Sequence, residues 1–234
     1  KLVFDGRRFH AVYARFEGNK NDTTSFDDRI FYACSYPVDS LGAPIRWNPI
    51  DVAVSFDDLP GHVRYENRTP SLTVEIANDD TVASVVWTCH PYDTAYLGQR
   101  ELVARYVRIL DPDGQSPSYE LGPLATLGYH TGQHTNLYGT PTISRLDGGT
   151  MVAWSDSAIG IVARFRKRPG GSNWHLSTPT LSPAAVFSLP GPWSTAPVAR
   201  FPSMPPFVHV AAHDSTVGVV FQQQSPNYPA SNNI

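Results

Sequence analysis

The stretch that decides the fold is Asp79–Trp87, DDTVASVVW, because the chain repeats it at nearly constant spacing. Similar stretches lie at Asp147–Trp154 and Asp214–Phe221, and the aromatic residues that end these three copies are 67 positions apart. A fourth copy, Asp5–Tyr13, precedes them and ends 74 positions before the first of the three. Self-similarity at such a period predicts that one small supersecondary unit is stacked several times.

The second unit has the pattern of four β-strands. Ser71–Ile76 alternates with period two, as a half-buried strand does, and Asn78–Asp80 is typical of a hairpin turn. Val82–Trp87 is too apolar to face water on either side. Glu101–Arg108 and Ser118–Leu121 are predicted as the third and fourth strands.

The third unit copies this order. Thr142–Leu146, Thr150–Trp154 and Ile161–Arg166 are its first three predicted strands, and Arg168–Asn173 is a turn. Trp174–Leu176 then begins the expected fourth strand. No stretch shows helical periodicity with caps, so the predicted fold class is all-β.

Four antiparallel strands per repeat, arranged around an axis, form a blade of a β-propeller. The chain is predicted to be a single propeller region, 1–234, with blades at about 1–60, 61–128, 129–195 and 196–234, the first and last incomplete. About four blades of a six- or seven-bladed ring are expected, and a closed four-bladed ring is the alternative. The aromatic residues that end the repeats are expected to pack between blades: Trp87, Trp154 and Phe221.

Composition excludes several classes of function. The chain is 41% hydrophobic and 12% aromatic, which is enough to bury a large core, and its formal net charge is −3. Since there is no basic face to neutralise phosphates, nucleic acid is not an expected partner. The basic run Arg164–Arg168 is predicted to be a solvated outer strand. No apolar run suggests membrane insertion, and no cofactor is expected.

Small motifs indicate an extracellular or cell-surface location. Asn21 and Asn67 each begin an acceptor tripeptide for N-glycosylation. Cys34 and Cys89 form either a disulfide or two buried free thiols, and two cysteines alone cannot make a structural zinc site. The His130–His134 segment contains a glycine and lacks helical pattern, so a surface loop is expected there and no metal site.

The turns between outer strands resemble the Asp-box-like turn of the sialidase and bacterial neuraminidase repeat superfamily, S-x-D-x-G-x-x-W. Ser40–Trp47 and Pro169–Trp174 keep the glycine and the tryptophan of that motif but lack its aspartate. The second unit keeps Asp113-Gly114 and has Tyr119 at the tryptophan position. The resemblance implies a β-propeller built from such repeats.

Sialidases of that family also carry a F/Y-R-I-P stretch whose arginine binds the substrate carboxylate. Asn67–Pro70 and Ala199–Pro202 are similar, which implies carboxylate contacts for Arg68 and Arg200. No tyrosine nucleophile with a glutamate partner, and no acid for catalysis, can be assigned from the sequence. Fold resemblance alone does not carry an activity.

A binding site is expected on the rim where the second-to-third-strand loops and the loops leading into the first strands lie together. Aromatic rings, amides and charges of both signs in these loops suit recognition of a sugar or a protein. The candidate ligand-binding residues are Arg68, Arg200, His90, Tyr92, Asp93, Asp156 and Gln222. The predicted function is a non-catalytic binding or scaffolding propeller for a glycan or protein partner. The alternatives are a sialidase-type glycoside hydrolase and a structural subunit of a surface assembly or filament.

Overall fold

In the residues that a computed structural model describes, the regular structure is β-strand apart from a 3₁₀ turn at Trp174–Leu176. The structure describes residues 1–17, 27–38, 44–55, 65–77, 80–91, 99–110, 117–131, 140–156, 160–171, 173–177, 180–181, 185–187, 208–213, 216–221, 223–224 and 232–233. The predicted fold class is thereby confirmed at the level of antiparallel β-sheets, and the sheets do not close into a ring within these residues.

The first two repeats form two antiparallel sheets that meet at one point. The first sheet contains β1 (Leu2–Phe4), β2 (Phe9–Glu17), β3 (Asp27–Cys34) and β4 (Val52–Ala53). The second sheet contains β5 (Tyr65–Ala77), β6 (Asp80–Pro91), β7 (Gln99–Leu110), β8 (Ser118–Leu121) and β9 (Ala125–Thr131). One parallel bridge, from Asp28 to Glu66, links β3 to β5 and makes the two sheets continuous.

The last two repeats form separate sheets. The third sheet contains β10 (Thr142–Leu146), β11 (Gly149–Asp156), β12 (Gly160–Lys167), β13 (Thr180–Leu181) and β14 (Ala185–Phe187). The fourth sheet is the hairpin of β15 (Val208–His213) and β16 (Thr216–Phe221). A short pair, β17 (Gln223–Gln224) and β18 (Asn232–Asn233), follows it.

The strand register confirms the equivalence of the repeats. Trp87 of β6 pairs with Val103 of β7, and Trp154 of β11 pairs with Val162 of β12. In the first sheet, the corresponding Tyr13 pairs with Phe31. The second and third strands of the first three repeats therefore pair at equivalent positions.

The fourth strand of the second and third repeats differs from the prediction because it is made of two pieces. Strands β8 and β9 pair with the two halves of β7, and β13 and β14 do the same with β12. Pro123 lies between β8 and β9, where its missing N–H interrupts the ladder. The sequence Leu121–Ala125, LGPLA, is matched by Leu181–Ala185, LSPAA, and the second piece of the second repeat extends to Thr131, past the expected boundary.

The prediction that Trp174–Leu176 begins a strand is wrong. The segment is a 3₁₀ turn in which Leu176 N–H donates to Asn173 O at 3.0 Å. Gly171 before it has φ +102, a left-handed backbone that redirects the chain. The Trp174 side chain is buried against Tyr106 of the second sheet, ring centroids 5.0 Å apart, so tertiary packing decides the local structure.

Apolar side chains on both faces of the middle sheets hold the four sheets together. Trp87 packs with first-sheet residues such as Ile30 and Tyr32, whereas its neighbour Val86 packs towards the third sheet. Trp154 of the third sheet packs in turn into the cluster of Val86. Trp87 and Trp154 each pack between consecutive sheets, and the side chain of Phe221 lies outside the described residues.

An arginine bridge accompanies each of the first two interfaces. Arg105 Nη1 donates to Val54 O of the first sheet at 2.9 Å, and Arg164 Nη1 donates to Leu127 O of the second sheet at 2.6 Å. The two arginines occupy equivalent positions in their repeats, and so do the two acceptors. Val54 lies two residues after Val52, and Leu127 lies two residues after Ala125, where Val52 and Ala125 pair with equivalent positions of the third strand. The same contact thus joins consecutive sheets twice.

The prediction that the basic run Arg164–Arg168 is a solvated outer strand is therefore wrong. It forms the third strand of its sheet, and its alternate arginines face the second sheet. Arg166 is completely buried, and Arg168 forms an ion pair with Glu75. Lys167, on the other face, is exposed.

Replacing Arg164 by Met keeps the aliphatic packing and removes the bridge to Leu127 O. We expect this variant to lose about 1–3 kcal/mol of unfolding free energy, since the hydrogen bond is made by a charged, part-buried donor. Urea-induced unfolding measures the loss. Lys167→Met is the matched control on the same strand and should change stability by less than about 0.5 kcal/mol. Equal stability of the two variants would contradict a structural role for the bridge.

Candidate functional site

Two edges of the sheets carry polar side chains, and the sequence singled out only one of them. At that edge, called the rim, the strand ends Tyr65 and Pro91 pair with each other, as do Asp156 and Gly160. The end of the second strand was expected to lie beside the start of the first strand. This is confirmed for the second sheet, where the end of β6 pairs with the start of β5. The opposite edge carries the hairpin turns.

The rim contains three of the predicted ligand-binding residues. Arg68 is exposed and pairs with Thr88, and His90 lies two residues further along the same ladder. Asp156 ends β11, but its side chain and that of His90 lie outside the described residues, so no contact between them can be drawn. Tyr92, Asp93, Arg200, Gln222 and the glycosylation candidate Asn21 also lie outside the described residues.

Arg68 lies at a β-bulge. The register of β5 shifts between Arg68 and Ser71, and Thr69 has φ 51, a left-handed backbone that a β-branched residue rarely adopts. Thr88 Oγ1 donates to Arg68 O at 3.0 Å and lies 3.0 Å from Thr69 Oγ1, which holds the bulge in place. The bulge presents the Arg68 side chain to solvent at the rim.

Asn67 is a structural residue, contrary to its prediction as a glycosylation acceptor. Its side chain is 2% exposed; Trp87 Nε1–H donates to Asn67 Oδ1, and Asn67 Nδ2 donates to Asp28 O, both at 2.8 Å. A glycan on Nδ2 would replace the second bond and could not fit in a buried position. The amide instead joins the first two sheets and satisfies the buried indole.

The hairpin edge of the first sheet contains a buried hydrogen-bond chain. Asp5 Oδ2 lies 2.8 Å from His10 Nε2, and His10 Nδ1 lies 2.7 Å from Tyr32 OH. Asp5 Oδ1 also accepts the backbone N–H groups of Arg7 at 2.7 Å and Arg8 at 2.6 Å. Burial raises the pKa of Tyr32 well above its usual value. This series of hydrogen bonds links the turn at Asp5 to β2 and β3.

These contacts hold Asp5 in its charged form. Burial alone would raise the pKa of Asp5, but the hydrogen bonds from His10 and from the N–H groups of Arg8 and Arg7 outweigh it and lower the pKa from 3.8 to about 2. The buried Arg8 contributes a further contact, from its Nη1 to Ser35 O at 2.8 Å.

Tyr119 connects this cluster to the second sheet. Its hydroxyl lies 3.4 Å from Cys34 Sγ and accepts Asn48 Nδ2–H at 3.1 Å, and Asn48 also donates to Pro117 O at 2.8 Å. Tyr119 is the residue aligned above with the motif tryptophan. Of the tryptophans so aligned, Trp174 is buried whereas Trp47 is exposed, so they play different roles.

A second buried polar cluster lies at the hairpin edge between the second and third sheets. The Arg166 guanidinium carbon is 4.5 Å from the centroid of the Tyr106 ring, and Arg166 pairs across the strands with Thr150. All three side chains are buried. Burial raises the pKa of the Tyr106 hydroxyl and lowers that of Arg166.

Ion pairs flank this second cluster. Glu75 bonds to Arg168, and burial nevertheless raises the pKa of Glu75. His175 Nε2 lies 3.1 Å from Glu120 Oε2, and Arg108 Nη1 lies 3.4 Å from the same oxygen. Both carboxylates therefore already have cationic partners.

The described residues contain no group of three or more potential metal ligands. They also include no helix of the length and apolarity needed to cross a membrane. Neither hairpin-edge cluster exposes a nucleophile beside a base, since their tyrosines and histidines are buried. Arg68 is exposed at the rim, whereas His10, Tyr32, Tyr106 and Arg166 of the hairpin-edge clusters are buried.

No protein-family model, curated protein or solved structure matches this chain. The likeness to sialidase repeats therefore stays a prediction that depends on the residues quoted above.

Sequence reasoning missed both hairpin-edge clusters. The pattern available was the alternation of Arg164, Arg166 and Arg168, whose equivalents in the second repeat are Arg105 and the apolar Val107 and Ile109. Such a strand is packed on both faces, so its arginines have to be buried at least in part. Asp5 is common to all four copies as the turn aspartate, and His10 occurs in one copy only, so the pair left no pattern that indicated a buried contact.

Asp5 makes stability depend on pH. Because its pKa is lower in the folded chain than the ordinary 3.8, its contribution of about 2 kcal/mol is complete above about pH 5 and is lost as the pH falls towards 2. Asp5→Asn should remove this part of the acid-induced loss, measured by urea unfolding between pH 2 and pH 6. Asp147→Asn, at the exposed hairpin turn of the third sheet, should keep the wild-type profile. An unchanged profile for Asp5→Asn would contradict the assignment.

Cys34 and Cys89 are both free and buried, which decides between the alternatives left open by the sequence. Burial raises the pKa of the Cys34 thiol, so it is protonated and unreactive near neutral pH. We expect Ellman's reagent to titrate no thiol in the native protein and both thiols in guanidinium chloride without reductant. Failure to find thiols in denaturant would indicate a disulfide.

Proposed function

We propose that the chain is a run of blades of a sialidase-like β-propeller of six or seven blades. In this proposal it is a non-catalytic binding or scaffolding module, extracellular or on a cell surface. Its rim recognises a glycan or a protein partner. The support for the architecture and for the role comes from different observations.

The observation that carries the architecture is the repeated interface. Consecutive sheets meet through the same tryptophan position and the same arginine bridge, and the first strands β5, β10 and β15 contact each other in sequence order. A common inner line of first strands is what blades around one axis produce.

The exposed face of the first sheet supports additional blades. Leu2, Phe4 and Tyr13 on this face are 55%, 49% and 37% exposed, although they are apolar or aromatic. The matching positions of the second sheet, which pack on the first, are Leu72, Val74 and Trp87. A further sheet of the same repeat would cover this face in the way the second sheet is covered by the first.

The use of arginines favours binding over hydrolysis. A sialidase-type site needs several guanidinium groups converging on one carboxylate. Arg105 and Arg164 instead bridge sheets through backbone carbonyls, and Arg166 is buried at the opposite edge. Arg68, exposed at the rim beside a bulge, suits a contact with an acidic sugar or an acidic peptide.

A glycan array and a fluorogenic sialoside assay on the same full-length protein test this proposal. We expect binding to an acidic glycan, weakened about tenfold by Arg68→Ala, which is the effect of losing one charged contact. No sialoside hydrolysis is expected. Arg7→Ala is the matched control, since Arg7 is exposed at the hairpin edge.

Two results would contradict the proposal in different ways. Hydrolysis that disappears in Arg68→Ala would establish the alternative, a sialidase-type hydrolase. No signal in either assay would contradict glycan recognition and leave a protein partner or the structural-subunit alternative.

A further inference from the structure

Arg166 is a buried cation without a counter-ion. Its side chain is 0% exposed, and within the described part of the chain none of its three guanidinium nitrogens has a hydrogen-bond partner. Leaving such a charge unpaired inside a protein costs several kcal/mol, and an arginine cannot escape that cost by losing its proton. A bound anion would remove most of this cost, because it would supply the missing charge and the missing hydrogen-bond acceptor.

Other donors in the same interface also lack partners. Thr150 Oγ1 and Tyr106 OH are buried with no partner among the described residues, and Thr150 is the cross-strand neighbour of Arg166. The Arg166 guanidinium carbon lies over the Tyr106 ring, 4.5 Å from its centroid, which is a cation–π contact and leaves the guanidinium nitrogens without hydrogen-bond acceptors. His175 Nδ1, on the turn that packs beside Tyr106, is a fourth unpartnered group.

The neighbouring carboxylates do not neutralise Arg166. Glu75 is paired with Arg168, and Glu120 is shared by Arg108 and His175. Arg108 is also paired with Asp80, at 2.6 Å. Within the described residues no carboxylate accepts a hydrogen bond from Arg166, and its buried neighbours Thr150 and Tyr106 carry hydroxyl groups without partners.

We propose that Arg166, Thr150 and Tyr106 bind one small inorganic anion of the size of chloride, buried between the second and third sheets. Chloride accepts several N–H and O–H donors without strong directional demands. All three side chains are buried, which favours a compact ion over a larger oxyanion. The site lies at the hairpin edge and is independent of the function proposed for the rim.

Anion binding to the folded chain alone makes stability depend on chloride. Above the dissociation constant, the unfolding equilibrium constant should fall about tenfold for each tenfold rise in chloride concentration. The measurement is urea unfolding of the full chain at constant ionic strength, with sodium chloride exchanged for sodium gluconate. The larger gluconate serves as the anion that cannot enter.

Two variants separate a bound ion from a general salt effect. Arg166→Met should abolish the chloride dependence, whereas Lys167→Met removes the same charge one residue away on the exposed face and should keep it. Equal chloride dependence in Arg166→Met and the wild type would overturn the proposal, as would a wild type indifferent to chloride.

A crystal of the wild-type protein grown in sodium bromide gives a test that does not need the variant to fold. An anomalous bromide peak within about 3.5 Å of the Arg166 guanidinium nitrogens is the expected result. A water molecule there, or no density at all, would overturn the proposal.

Discussion

Burial of the middle sheets on both faces is the constraint on which the rest of the structure depends. A sheet with one face in water could have placed its arginines there, but the third sheet packs on the second and on the fourth. Arg164, Arg166 and Arg168 of this sheet are therefore directed into an interface. Arg164 meets this constraint by donating to Leu127 O, and Arg168 by pairing with Glu75. Arg166 has neither solution within the described residues.

How well an element could be predicted depends on whether its own sequence contains a clear pattern. Strands such as Thr142–Leu146 and Ser118–Leu121 were predicted with their observed ends, because repetition reinforced the local alternation. Trp174–Leu176 was missed because its conformation depends on a partner, Tyr106, that is distant in sequence. The division of the outer strand was missed although Pro123 marks it, since a single proline is also typical of a turn.

The candidate site was less predictable than the fold. Arg68 could be placed at the rim because an arginine before Thr-Pro at the start of a strand leaves a local pattern. Asn67 was misassigned, since an acceptor tripeptide carries no information about burial, and burial came from the indole of Trp87 on the adjacent strand. The hairpin-edge clusters depend on contacts between repeats, such as that of Arg166 with Tyr106, which no single repeat contains.

The division of the outer strand at Pro123 has a consequence for behaviour in concentrated solution. The outermost strand of a sheet offers free N–H and C=O groups to any extended chain that comes alongside, and this is how many β-proteins begin to aggregate. Here that border is cut into the short pieces β8 and β9, with a residue between them that cannot donate. A foreign strand can therefore pair with only one piece at a time, so this border offers a shorter template than an unbroken outer strand would.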